Sequence, residues 1–247
     1  MNNTNRIAVV TGASSGIGAG IARTLAAQGA DLALVARRAD RLEALRAELT
    51  DRPGAGRVLV LAHDLIADGA AEQVRRRVTD ELGTTDLLVN AAGVLIPDLV
   101  GVQAMSQQLD LNLGALVRIT QAFVPDLIES AQRRGCADLV NISSISAGRV
   151  EPGVGVYAAS KAAVSHLSRN LRAELATSRV RVTNVEPGVV TTELLAGSEA
   201  GQAWLADVCT RIDPLSAAEL AEVVAFAISR PAHVSLPELV VMPARQV

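Results

Sequence analysis

Seven short apolar runs recur along the chain: RIAVVT (6–11), ADLALVA (30–36), RVLVLA (57–62), DLLVNAAG (86–93), ADLVNISS (137–144), RVRVTNVEPG (179–188) and LPELVVMP (236–243). Each is nearly continuous in aliphatic residues and bounded by polar or turn residues, which is how a strand buried on both faces reads. Between the first six lie stretches of helical period, among them GIGAGIARTLAAQG (16–29), RADRLEALRAEL (38–49) and AAEQVRRRVTDEL (70–82). This alternation predicts an α/β fold, a seven-stranded parallel sheet with helices on both faces and right-handed crossovers. Aromatic residues are only 2% of the chain against 49% hydrophobic, so the core has to be built from Ala, Val, Leu and Ile. Those are the residues that such a sheet and its covering helices use.

Nothing in the pattern divides the chain. The Gly/Pro clusters at 53–56 and 152–155 are loop-sized, and there is no repeat or low-complexity tract, so residues 1–247 read as one domain. The first four residues are expected to fray. A net charge of −3 gives no excess of positive charge for nucleic acid or an anionic membrane, and Arg75, Arg76 and Arg77 read as one solvated helix face. Cys136 and Cys209 have no metal-ligand spacing and form no disulfide framework, which fits a reducing compartment and no metal site. The first apolar run, Ile7 to Val10, is too short for a secretion signal, and no uncharged run is long enough to span a bilayer. The expectation is a soluble cytoplasmic protein.

The first strand runs straight into TGASSGIG and then into a helix. Glycine admits close backbone approach, and a helix N-terminus offers free N–H groups and a positive dipole end to phosphate. Strand, turn and helix stand in the order that a dinucleotide-binding Rossmann fingerprint requires. Gly12, Ser14, Ser15, Gly16, Ile17 and Gly18 are therefore candidate cofactor contacts, although Rossmann-like methyltransferases carry similar turns. The second strand ends at Arg37 and Arg38 rather than at a carboxylate. A carboxylate there would take the ribose 2′-hydroxyl of NAD, whereas arginine pairs with the 2′-phosphate of NADP, so the reading is NADP. Two solvated loop arginines are the plainer alternative. Asp64, followed by Leu65 after the third strand, is placed to meet the adenine, while His63 reads as packing or solvated.

YAASK (157–161) holds the chain's only tyrosine and its only lysine; the rest of its 23 Lys and Arg residues are arginine. Four apart on a helix, the two side chains share a face. A lysine ammonium is a compact, tunable charge, unlike the guanidinium. Beside a phenol it favours the phenolate and lowers the tyrosine pKa from its reference near 10, making a proton donor and acceptor usable near neutral pH. A surface Tyr and a solvated Lys would give the same letters.

With TGASSGIG, NAAG (90–93), YAASK and PGVVTTEL (187–194) in this order, the chain resembles the short-chain dehydrogenase/reductases over essentially its whole length. VEPG and the ending PAHVSLPELVVMPARQV give a narrower resemblance to the NADP-preferring branch of 3-hydroxy acid dehydrogenases and related aldehyde or ketone reductases. The resemblance implies Tyr157 as general acid and base, Ser144 as the hydrogen-bond donor to the substrate oxygen, and Lys161 holding the ribose hydroxyls. It implies Asn112 as the helix asparagine that holds a water linking Lys161 to solvent. Ser143 is the weaker serine candidate, more suited to bonding backbone. Asn112 could equally be a satisfied buried amide. Asn90 is implied as a strand-stabilising residue in a cofactor-contacting segment with Ala91 and Gly93. Pro187, Gly188, Val190 and Thr192 are implied to contact the nicotinamide amide and the phosphates.

Three segments are expected to surround a small carbonyl or alcohol substrate: VLIPDLV (94–100), SAGRVEPGVGV (146–156) and a lid at about 194–208 carrying Trp204. Most of these side chains are aliphatic, which favours an apolar or modest-sized substrate. Arg149 would suit a substrate carboxylate, or it pairs with Glu151 or faces solvent; Gly197 and Gly201 would permit lid motion. The resemblance implies a dimer or tetramer built on the helical segments 101–132 and 156–177, and the last strand lacks the glycine-rich ending of many family members. The second function class is an NADP(H)-sensing regulator without turnover, but such proteins typically lose a catalytic residue and here all four are present. A methyltransferase leaves the Tyr–Lys pair unexplained, and the epimerases that share the pair generally need a longer chain.

Overall fold

Successive side chains of a strand point to opposite faces, and in β1 (Ile7–Thr11) both faces are covered: Ala8 and Val10 pack into one core, Val9 into another. The computed structural model, which describes residues 6–51, 54–97, 101–196 and 199–246, has seven parallel strands, of which the last, at one edge of the sheet, is partly exposed. They are β1, β2 (Asp31–Ala36), β3 (Val58–Ala62), β4 (Leu87–Asn90), β5 (Ala137–Ile142), β6 (Val180–Pro187) and β7 (Glu238–Val241), in the spatial order β3-β2-β1-β4-β5-β6-β7. Residues 1–4, Pro53, 98–100 and Gly197 with Ser198, expected as a frayed end, a loop, part of the pocket and part of the lid, lie outside the described residues.

The first core is closed by α1 (Gly16–Ala27) and α2 (Ala39–Thr50), through Ile21, Leu25, Leu42 and Leu45. The second is closed by α3 (Ala70–Glu81), through Val74 and Val78, and by a long helical run after β4, through Ile119, Phe123 and Leu127. That run, read from sequence as one helix, is three pieces: α4 (Val102–Leu109), a π-helical turn (Asp110–Ala115) and α5 (Leu116–Arg134). After β5 and a 3₁₀ turn comes α6 (Gly155–Leu175). Following β6 come α7 (Glu193–Ala196), α8 (Glu199–Cys209) and α9 (Ala217–Ile228), the last returning Leu220, Val224 and Ile228 to the first core.

The two ends of the sheet differ in character. At the amino ends, Arg6 binds Asp86 and Asp138, and Arg181 binds Asp138 from the other side, with all four side chains buried. At the carboxyl ends β4 and β5 stop at Asn90 and Ile142, short of the Gly93 and Ser144 expected from sequence, because the chain leaves the sheet there to form loops. β1 and β4 are neighbours whose chains continue outward in opposite directions, and that reversal opens a crevice at their carboxyl ends.

Candidate active site

β1 carries Thr11 to the crevice, where its hydroxyl accepts hydrogen bonds from the N–H groups of Ala91 at 3.0 Å and Ala92 at 3.2 Å. Gly12 follows at φ +68°, and a Cβ there would lie 2.7 Å from the Ala91 carbonyl oxygen, so only glycine lets the two loops meet. α1 then starts at Gly16 behind an extended Ser15 whose side chain makes no cap. Among the described residues no side chain caps the free N–H groups of the first turn, and that donor set fits the phosphates of a dinucleotide.

Across the crevice Asn90, Asn141 and Asn184 stand in register on β4, β5 and β6. The Asn90 amide donates to Thr120 Oγ1 and to Asn141 Oδ1, both at 2.9 Å; Asn141 donates to Ser168, and Asn184 to Ser165 and Glu186. The row ties the centre of the sheet to α5 and α6.

Beyond β5, Ser144 caps the 3₁₀ turn Ile145–Gly148, its hydroxyl accepting from the Ser146 N–H at 3.1 Å. Ser144 also lies close enough to the Tyr157 phenol to act on its titration. Ser143 turns the other way and donates to the Lys161 carbonyl at 2.8 Å. The Lys161 Nζ donates to the Ile142 carbonyl at 2.9 Å and lies 5.7 Å from the Tyr157 ring centroid. Gly93 makes room for this group: a Cβ there would stand 3.3 Å from Asn112 Oδ1 and 3.5 Å from Lys161 Nζ. Asn112, delivered by the π-helical turn, accepts from the Val94 N–H at 2.8 Å and donates to the Val94 carbonyl at 2.9 Å and to Ser160 Oγ at 3.2 Å.

The electrostatics correct one expectation. Lys161 was expected to draw the Tyr157 pKa down, but burial pushes the phenol up to about 12; Ser144 pulls it partly back and the Glu151 charge adds to the rise. Burial also lowers Lys161 to about 8. Desolvation opposes charge on either group, and with the ammonium turned to the Ile142 carbonyl it outweighs their mutual effect.

A tyrosine and a buried lysine on one helix face, a serine on the phenol and an uncapped glycine loop thus share one crevice. The family model described as short chain dehydrogenase matches residues 6–203. The chain belongs to the short-chain dehydrogenases. It is 40% identical over 242 residues to an uncharacterized oxidoreductase of Mycobacterium tuberculosis, covering 98% of this chain and 92% of that one. Sulfoacetaldehyde reductase 2 of Chromohalobacter salexigens is 36% identical over 249 residues, covering 97% of this chain and 95% of that one. The closed form of a serine dehydrogenase complexed with NADP+ superposes with a TM-score of 0.87 at 31% identity, over 98% of this chain and 96% of that one. Other solved neighbours carry NADH or NADPH, so the likeness leaves the choice of dinucleotide to this chain's own residues.

In this short-chain dehydrogenase Arg38 meets the glycine loop, donating to Ser15 Oγ at 2.8 Å and Ser14 Oγ at 3.0 Å. Arg37 is exposed and has no side-chain partner among the described residues. Asp64 is exposed and accepts from the Ile66 N–H at 3.1 Å in a local turn, with Leu65 buried beside it. After β6 the chain forms a strap. Val190 pairs with Leu215, and the Thr192 side chain would lie 3.2 Å from a Cβ on Gly16. Val189 on the strap packs with Val208, Ile212 and Leu205, which anchors α8, while Trp204 stays exposed. Arg149 reaches the Met242 sulfur at 3.8 Å, and Glu151 accepts from Ser146 Oγ at 2.7 Å.

Some residues around the crevice carried no sequence signal. Gln246, from the far end of the chain, accepts from the Val189 N–H at 2.9 Å and lies against Gly188. Ser160 meets Asn112, and Glu193 on α7 meets Arg38 and Arg41.

Proposed function

We propose that the chain transfers a hydride between NADP(H) and a small alcohol, ketone, hydroxy acid or keto acid, with Tyr157 moving the proton. The observation that carries this reading is that the buried Tyr157 phenol lies beside Ser144, with Lys161 buried on the same helix face and its Nζ 5.7 Å from the Tyr157 ring centroid. A bound nicotinamide dinucleotide supplies or accepts the hydride. During reduction the Tyr157 phenol donates its proton to the substrate oxygen as negative charge grows there, and burial supports this by favouring the neutral, proton-bearing form. The Ser144 hydroxyl donates a hydrogen bond to the same oxygen and orients it. In oxidation Tyr157 accepts the proton. Lys161 holds the ribose hydroxyls, and Asn112 fixes the Val94 backbone and Ser160 beside it.

The grip of Arg38 on Ser14 and Ser15 supports NADP, because it sets a guanidinium at the edge of the phosphate loop where a ribose 2′-phosphate would lie. The relatives named for sulfoacetaldehyde and serine support a small polar substrate. Of the segment at about 194–208, residues 201–208, anchored through Val208 and Leu205 on Val189, serve as its lid. Exposed Phe226 and Val240, on α9 and the edge strand β7, support self-association into a dimer or tetramer.

The test is NADPH oxidation across small ketones, aldehydes and β-keto acids, run on the parent and on Tyr157→Phe. The variant retains NADPH binding and loses at least about 10²-fold in turnover; undiminished turnover would show that the proton comes from elsewhere.

A further inference from the structure

One carboxylate holds two arginines at the adenosine end of the crevice. Glu193 Oε2 accepts from Arg38 Nη1 at 2.7 Å, and Glu193 Oε1 accepts from Arg41 Nη1 at 2.9 Å. Arg38 is the N-cap of α2 and Arg41 lies in its first turn, so positions three apart on one helix side converge on a single anion. The second nitrogen of Arg38 meanwhile binds Ser14 and Ser15 of the glycine loop. The neighbours of this anion position are therefore two guanidiniums and the phosphate loop.

We propose that Arg41 joins Arg38 in binding the 2′-phosphate of the dinucleotide, and that Glu193 is an internal carboxylate occupying both guanidiniums until that phosphate replaces it. The proposal rests on the NADP reading above and assigns two residues that the reading does not use. Planar guanidiniums take phosphate and carboxylate oxygens with the same fork geometry, so an arrangement that fits one fits the other. The side chains of Arg38, Arg41 and Glu193 are 42%, 51% and 45% exposed, so water screens the bridge and breaking it costs little. The two arginines also hold the Glu193 carboxyl below the usual carboxylate range, which keeps it ionised and competing at working pH. A dinucleotide without the phosphate leaves the bridge in place. One with it frees Glu193, and with it the end of the strap whose Thr192 rests on Gly16.

The test is calorimetric binding of 2′,5′-ADP and of 5′-AMP to the parent, Arg41→Ala and Glu193→Gln. The parent prefers 2′,5′-ADP. Arg41→Ala weakens 2′,5′-ADP about tenfold and leaves 5′-AMP unchanged, as loss of one charge-assisted contact implies. Glu193→Gln tightens 2′,5′-ADP about two- to fivefold, the scale of an exposed ion pair removed from competition. Unchanged 5′-AMP binding certifies the fold of each variant. The proposal is overturned if Arg41→Ala leaves 2′,5′-ADP affinity intact or weakens both ligands equally, or if Glu193→Gln weakens 2′,5′-ADP. A parent that does not distinguish the two nucleotides overturns the NADP reading itself, and the proposal with it.

Discussion

Lys161 lies within 5.7 Å of the Tyr157 ring centroid yet gives its hydrogen bond to the carbonyl of Ile142. The pair is therefore poised by burial rather than by mutual charge, and in the free protein the phenol is the stable form.

Because Tyr157 is the only tyrosine, the absorbance of tyrosinate reports this one group. A rapid-mixing pH titration of the free protein gives a midpoint near 12, above the ordinary value of 10. The raised folded value means that the group's stabilisation is complete below pH 10 and is lost as pH rises toward 12. A midpoint at or below 10 would mean that the Lys161 charge prevails over desolvation.

Lys161 behaves oppositely. Its pKa falls from 10.5 to about 8 on burial, so the unfolded chain holds the proton more tightly. Its contribution to stability is complete above pH 10.5 and is lost as pH falls through 8. Lys161→Met removes the penalty, so the variant is more stable than the parent at pH 7, and the gap narrows by about 2 kcal/mol toward pH 10. Chemical denaturation at both pH values measures it; a gap that ignores pH would contradict the desolvation account.

Asn112→Ala strips both Val94 backbone groups of their partner and takes one bond from Ser160. Part-buried groups left unpaired cost about 1–3 kcal/mol each, so the variant loses about 2–4 kcal/mol in urea with an unchanged slope. A loss under about 0.5 kcal/mol would mean that water satisfies Val94 in its place.

The sheet was legible because strands covered on both faces must be apolar throughout, and the glycine loop because Gly12 answers to a steric demand that no other residue meets. What escaped the sequence is what distance or depth decides. Arg41 and Glu193 lie 152 positions apart, and neither residue type marks its partner. The π-helical turn at Asp110–Ala115 is a change of backbone register inside an otherwise helical pattern. The direction of the Tyr157 shift depends on how deeply the YAASK face is buried, which four-residue spacing cannot report.

The buried charge cluster of Arg6, Asp86, Asp138 and Arg181 fastens four neighbouring strands at the end of the sheet away from the crevice. Like the foundations of a building whose upper rooms are refitted, it leaves the segments after β4 and β6, at the opposite end of the sheet, open to replacement. Changes of sequence there need not disturb the frame that holds Tyr157 beside Ser144.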